Sequence, residues 1–370
     1  MPIYETISKP TLLIDKRICQ QNINWMANKA KSQNVIFRPH FKTHQSAKVA
    51  EWFRQAGVTQ ITVSSLGMAA YFAKHNWSDI TVAFPVNLRE IQLINQLAEK
   101  INLGLLVEDI SVIQTLDKLL TTSIQVWLKI DVGYHRTGLN WEDQPTIATC
   151  AFAVQQSKNL KFMGLLTHGG NNYHTPKNQI PMLFKESISR MNVVKESLMQ
   201  NGMDQILISV GDTPGCSLSD SFAGADEIRP GNFVYFDGQQ YVMGICTFEQ
   251  IAVSVACPIV ALHPERNEVV IYGGGIHLSK DSIQQGQLKH FGFVTRPDQN
   301  KWGSLMPGAY VKSLSQEHGV LHLPDSAITS AKIGDILCII PAHSCMTANL
   351  LGRGITTDRE QISMYRYGDC

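Results

Sequence analysis

A lysine flanked by basic and aromatic residues is the first group in this sequence that suggests chemistry: Arg38-Pro39-His40-Phe41-Lys42-Thr43-His44. Such company disfavours the ammonium form of Lys42, and an amine with a lowered pKa is a nucleophile towards aldehydes. A solvated loop lysine is the alternative. Towards the other end, Pro341-Ala342-His343-Ser344-Cys345 sets an imidazole and a thiol two positions apart. On extended backbone His343 and Cys345 share one face and Ser344 takes the other. Nitrogen and sulfur donors side by side suit zinc. A structural zinc takes four protein ligands, whereas two leave coordination positions open for a substrate. A half-buried histidine beside an inert cysteine is the alternative here. Between these ends lie runs in which glycine stands beside hydrogen-bond donors. They are 129–138 (KIDVGYHRTG, with Arg136), 167–173 (THGGNNY, with His168 and Tyr173), 209–215 (SVGDTPG, with Gly211 and Thr213) and 227–235 (EIRPGNFVY, with Arg229, Gly231 and Tyr235). Glycine lets a ligand approach the backbone, and histidine and tyrosine offer a flat face with a polar tip. Tight turns alone have the same composition. His277 in GGGIH and His318 in QEHG sit in further glycine-rich turns, and the sequence assigns neither a role.

Helix-like segments alternate with short apolar, β-rich runs from about residue 17 to 245, which is the pattern of a parallel sheet with crossover helices. The runs at 35–40, 61–65, 80–84, 103–107, 126–132, 162–168, 206–211 and 228–234 make eight strand-helix steps. That number fits an α/β fold of the (β/α)8 barrel type better than an open doubly wound sheet, and no GxGxxG follows the first strand. Barrel active sites form at the C-terminal strand ends, where all the runs above fall, and the loops after strands seven and eight commonly bind phosphate. A phosphorylated ligand is implied. Beyond Gly244 the runs 251–260, 268–272, 320–323 and 336–340 show little helical periodicity and read as a second, mostly β domain. The division expected is a barrel over 1–245, whose extreme N-terminal strand packs with the β-domain, and a β-domain over 246–370.

The chain has 370 residues, 44% of them hydrophobic, more than one core usually absorbs. Lys and Arg total 32 against 31 Asp and Glu, a formal charge of +1, so no basic field exists to attract nucleic acid or anionic lipid and the expected partner is a small molecule. Eight cysteines lie far apart with no CxxC, which fits free thiols in a reducing, cytoplasmic setting. No apolar run reaches membrane-spanning length and no export signal is expected.

In order along the chain, RPHFKTH (38–44), KIDVGYHRTG (129–138), THGGNNY (167–173), RPGNFVYFD (229–237), QEHG (316–319) and PAHSCMTANL (341–350) resemble the D-threonine aldolase and D-serine dehydratase family. This is the alanine-racemase-like, fold-type III class of pyridoxal 5'-phosphate enzymes. The resemblance spans nearly the whole chain. It implies a homodimer in which Lys42 is both Schiff-base lysine and general base, with His168 near the cofactor ring and Tyr173 near the pyridine nitrogen. Gly211, Thr213 and Tyr235 are implied about the phosphate, and Arg136 and Gly231 among the cofactor-binding residues. Arg229 matches an arginine that meets the pyridine nitrogen in alanine racemases, although its flanks look like the dehydratase and aldolase branch. The HSC at 343–345 resembles the zinc pair of D-serine dehydratases; the aldolases tend to place aspartate at the second position, and the racemases lack the pair. The expectation is a lyase dehydrating a small β-hydroxy-D-amino acid (D-serine, D-threonine or a 3-hydroxy-D-aspartate) to a 2-oxo acid and ammonia. A retro-aldol lyase giving glycine and an aldehyde, a racemase, and a non-catalytic pyridoxal-phosphate-binding homeostasis protein are the alternatives.

Overall fold

The computed structural model describes residues 3–366 and 368. The chain divides into two compact units: one holds the residues up to Ile23, Thr43–Trp52 and Asn232–Met364, the other Asn24–Lys42, Phe53–Gly231 and the residues after Met364.

The second of these is the barrel. Its eight parallel strands are Ile36–Phe37, Ile61–Val63, Asp79–Pro85, Asn102–Val107, Ile124–Asp131, Leu160–Leu166, Leu207–Val210 and Glu227–Ile228. Each pairs with its chain neighbour from the second to the eighth, and the eighth pairs with the first. A parallel bridge between His40 and Thr62 then joins the first strand's exit to the second. Phe41 N donates to Thr62 O at 2.8 Å and Thr62 N to Pro39 O at 2.9 Å. Strand burial is nearly continuous, as in Ile124–Asp131, because helices cover the outer face of a parallel barrel while side chains fill its interior. Side-chain oxygens start the crossover helices: Ser65 accepts from Met68 N, Asp109 from Ser111 N and Val112 N, and Asp143 from Thr146 N.

The first and eighth strands are shorter than their apolar runs. Residues 228–234 read as strand, yet only Glu227–Ile228 is one, and Asn232–Val234 is a 3-10 turn. Pro230 has no N–H to give a ladder, and the chain leaves the sheet there. Arg38 follows the first strand and is buried, with Nε on Glu227 at 2.6 Å, Nη1 on Asp79 at 2.5 Å and Nη2 on Gln60 at 2.7 Å. This pairing ties the first strand to the eighth and third, and a buried guanidinium requires it.

The other unit is built on a nine-stranded sheet. Its order is Glu268–Tyr272, His318–His322, Lys301–Leu314, Gly292–Asp298, Ile336–Pro341, Val253–His263, Thr11–Ile14, Arg353–Thr356 and Gln361–Ser363. Glu268–Tyr272 also pairs with Val253–His263, closing the first six into a ring. The N-terminal strand Thr11–Ile14 is antiparallel to Val253–His263 and parallel to Arg353–Thr356. The sequence shows the strands at 253, 268, 318 and 336 but not the fourteen-residue Lys301–Leu314, which carries Gly303, Pro307 and Gly308 and shifts register against both neighbours. Bulges of that kind erase the alternation by which a strand is recognised.

Among the described residues no helix is long and apolar enough to cross a membrane. Seven cysteines are free and buried, and Cys370 lies outside the described residues.

Candidate active site

At the barrel's strand ends the site starts with Phe41. Its ring is fully buried against Phe53, Phe72 and Trp77, with centroids 4.9, 5.0 and 5.1 Å away. This aromatic anchor fixes the turn, and the next residue, Lys42, is exposed. It is nonetheless close to the sixth strand's exit, because its charge is felt at His168. Burial, and after it the charges of Lys42, Arg136 and Arg229, bring the His168 imidazole down to about 3, against a hydrogen bond to Gly211 O that favours the charged ring. His168 is therefore neutral. Nδ1 donates to Gly211 O at 2.8 Å, so the other ring nitrogen carries the lone pair.

An aromatic chain continues from His168. The Tyr173 ring lies 6.3 Å and the Tyr134 ring 6.0 Å from its own, and the Arg136 guanidinium stands 5.2 Å over the Tyr134 ring. Asp131 makes this loop possible, since its carboxylate accepts from Gly133, Tyr134 and His135 backbone N–H groups at 2.9 to 3.1 Å. Gly170 leaves room for the Tyr134 ring, which a Cβ there would meet at 2.2 Å. Tyr134 is in a quoted motif but was not singled out from it, and the small residue three places beyond Thr167 is the one local hint of a ring packed above.

The seventh strand's exit holds Gly211 and Thr213. Gly211 has φ +156° and a Cβ would come within 2.6 Å of Arg229 N, so only glycine fits between the seventh and eighth strands. Thr213 N donates to Tyr173 Oη at 3.3 Å, while its Oγ1 is buried without a partner among the described residues. Arg229 is consumed by the barrel: Nε donates to Ser209 Oγ at 2.6 Å and Nη2 to Thr167 O and, at 3.3 Å, to Ser209 O. Gly231 is buried at the end of this unit. Lys129 is a buried amine that sequence reasoning passed over; burial first, and then the Arg229 charge, pull it down to about 7.

The unit built on the nine-stranded sheet carries the remaining candidates. Tyr235 is fully buried, and its hydroxyl has no partner among the described residues. His343 and Cys345 are brought together, but not by extended backbone. The strand ends at Pro341, His343 precedes the helix Ser344–Leu351, and Cys345 lies in its first turn. The alternation argument therefore fails, because a helix start rather than a strand sets the pair. His343 Nδ1 contacts Asp237 Oδ2 at 3.2 Å. Burial alone would lower the imidazole, but the Cys345 sulfur and the Asp237 carboxylate outweigh it and push His343 up to about 11. Cys345 Sγ lies 3.2 Å from Thr43 Oγ1 and 3.5 Å from Asn232 Nδ2. His277 and His318 stay outside this cluster: His277 faces Glu317 at 3.8 Å, and His318 is exposed in the pairing with Tyr272.

These residues fit a phosphorylated aldehyde cofactor and one cation. In the barrel, Thr213 Oγ1 is a buried hydroxyl without a partner among the described residues, for which a phosphate oxygen would serve as acceptor; in the other unit, Tyr235 Oη is likewise a buried donor. Imidazole and thiol form a soft two-ligand set, and no group of three or more potential ligands stands together among the described residues.

The alanine racemase N-terminal domain family matches residues 14–239, and a putative serine dehydratase domain matches residues 252–356. The D-threo-3-hydroxyaspartate dehydratase of Delftia sp. (strain HT23) is 29% identical over 353 residues, 92% of each chain. The D-serine dehydratase of Dictyostelium discoideum is 28% identical, over 97% of this chain and 96% of its own. A solved D-threo-3-hydroxyaspartate dehydratase, a cysteine-to-alanine variant in the metal-free form, superposes with a TM-score of 0.92 at 26% identity, covering 98% of this chain and 99% of that one.

Proposed function

The chain belongs to the alanine racemase N-terminal domain family, and from that premise we propose a pyridoxal-phosphate- and divalent-metal-dependent lyase. It dehydrates a small β-hydroxy-D-amino acid to a 2-oxo acid and ammonia. The observation that carries this reading is the His343–Cys345 pair, held beside Asp237 and Thr43 in a chain whose barrel also offers Lys42 and His168. Two relatives that cover over 90% of the chain, at 29% and 28% identity, are named D-threo-3-hydroxyaspartate dehydratase and D-serine dehydratase, which supports the substrate class.

Lys42 would hold the cofactor covalently through Nζ, and the same amine, once released, would take the substrate's Cα proton. When bound, pyridoxal phosphate supplies the electron sink for charge developing at Cα. His168, being neutral, would add no positive charge to a cofactor ring beside it, and Tyr173 would offer its hydroxyl. Thr213 would donate to phosphate, with Gly211, Gly231 and Arg136 as the barrel's further cofactor-binding residues and Arg229 bracing the barrel; Tyr235 would be the other unit's hydroxyl donor. His343 and Cys345 would hold zinc, whose chemistry here is Lewis-acid stabilisation of a leaving hydroxide. The free thiols and the family resemblance support a cytoplasmic homodimer.

The deciding experiment incubates cofactor-loaded protein with D- and L-serine and D- and L-threonine, with and without zinc. Ammonia and a 2-oxo acid from the D-isomers are expected. Glycine with an aldehyde would make it an aldolase, an inverted enantiomer a racemase, and no turnover with bound cofactor a carrier. Lys42→Ala should abolish both turnover and the cofactor's absorbance on the protein; survival of either ends the assignment.

A further inference from the structure

The inference that follows rests on the metal reading and concerns what holds the pair. We infer that Asp237 is the positioning residue of the His343–Cys345 pair, joined through Asn232 to the sulfur and helped there by Thr43. Asp237 is fully buried. Its Oδ1 accepts from Gln240 N at 3.0 Å, an ordinary helix cap. Its Oδ2 collects four further donors: Asn232 Nδ2 at 2.7 Å, Ser344 N at 3.0 Å, His343 Nδ1 at 3.2 Å and Ser344 Oγ at 3.3 Å. A helix cap needs only the first oxygen, and three of the second oxygen's four donors come from the segment that carries the pair.

A carboxylate accepts and does not donate, so Nδ1 carries a proton towards Asp237, and Nε2 is the nitrogen that can bind a cation once its own proton is displaced. Carboxylate-backed histidines are the usual way a ring is oriented and made a better ligand. The sulfur is held by the same network. Asn232 Nδ2, already on Asp237, reaches Ser344 Oγ at 3.1 Å and Cys345 Sγ at 3.5 Å, and Thr43 Oγ1 stands 3.2 Å from that sulfur. One amide nitrogen thus links the group behind the imidazole to the thiol. A movement of either ligand has to break a hydrogen bond with the same buried pair, Asp237 and Asn232.

The test dialyses cofactor-loaded protein against zinc buffered by a chelator and reads bound zinc by atomic emission, with cofactor absorbance and thermal midpoint taken on the same samples. The variants are Asp237→Asn, Thr43→Val and His343→Ala. Asp237→Asn should weaken zinc binding about 10- to 100-fold while cofactor absorbance is unchanged. Thr43→Val, which keeps the side chain's shape, should weaken it several-fold, and it carries the decision if Asp237→Asn does not fold. Zinc affinity unchanged in both variants overturns the proposal, and so does a zinc loss that only tracks loss of cofactor and thermal midpoint. Should His343→Ala hold zinc as tightly as the unaltered chain, the metal reading itself fails and takes this support with it.

Discussion

Single residues here act through what surrounds them, and His44 shows how far that goes. It sits two positions beyond Lys42 and is fully buried, with Nδ1 accepting from Ser46 N at 3.1 Å. Burial brings its pKa down to about 3. The unfolded chain's histidine titrates near 6.5. Between these values the unfolded state binds a proton that the folded state refuses, so stability is full above about pH 6.5 and falls as pH drops towards 3. His44 contributes at most about 1.36 kcal/mol per pH unit to that slope. Urea unfolding of His44→Gln at pH 7 and pH 5 should show a correspondingly shallower loss than the unaltered chain, and equal slopes would refute the assignment. At the same scale, Gly170→Ala drives a methyl into the Tyr134 ring and should lower turnover with little change in thermal midpoint, provided that ring lines the substrate's path. Turnover at the original rate would remove Tyr134 from the site.

At the scale of elements, the sixth barrel strand depends on one glycine. Its register against the fifth skips from Phe162 to Gly164, and Gly164 takes φ +145° at the step. A Cβ there would lie 2.0 Å from Leu207 O and 2.6 Å from Leu207 N, both backbone atoms of the seventh strand that cannot turn aside. Gly164→Ala should therefore cost about 2–4 kcal/mol, combining backbone strain with overpacking. Gly202 has φ +91° but open space around it, and alanine there should cost only about 1 kcal/mol. Denaturant midpoints of the two variants decide: equal losses would mean that the close approach at Gly164 is absorbed elsewhere. The helix Ser344–Leu351 makes the complementary point, since its start, and not a strand, sets Cys345 beside His343.

Across the whole molecule, the chain's order and its units do not coincide. Thr11–Ile14 precedes every barrel strand and yet bonds on both edges within the other unit, to Val253–His263 and Arg353–Thr356. Deleting the residues before Asp15 would leave those two strands with open edges, which invite intermolecular pairing. Such a truncation should aggregate or melt several degrees lower, as read by size-exclusion chromatography and circular dichroism. A monodisperse product with the original midpoint would make the strand dispensable.

What the sequence determined by itself was everything that repeats locally. Eight apolar runs with crossover helices announced the barrel, and polar residues placed just after those runs marked Lys42, His168, Tyr173, Gly211 and Thr213. The spacing of an imidazole and a thiol marked His343 and Cys345, and the family resemblance added Tyr235 as a candidate. Periodicity and turn chemistry carry such information because they depend on neighbours a few positions away. The tertiary structure alone decided the rest. It showed that Arg229 is spent on Ser209 and Thr167 and that Lys42 is exposed next to the buried Phe41 ring, and it fixed the partners of the expected N-terminal strand as Val253–His263 and Arg353–Thr356. It also brought Asp237 and Thr43 to His343 and Cys345, 106 and 302 positions away. Hydrogen bonds over such separations follow from how finished elements pack, and no spacing in the chain encodes them.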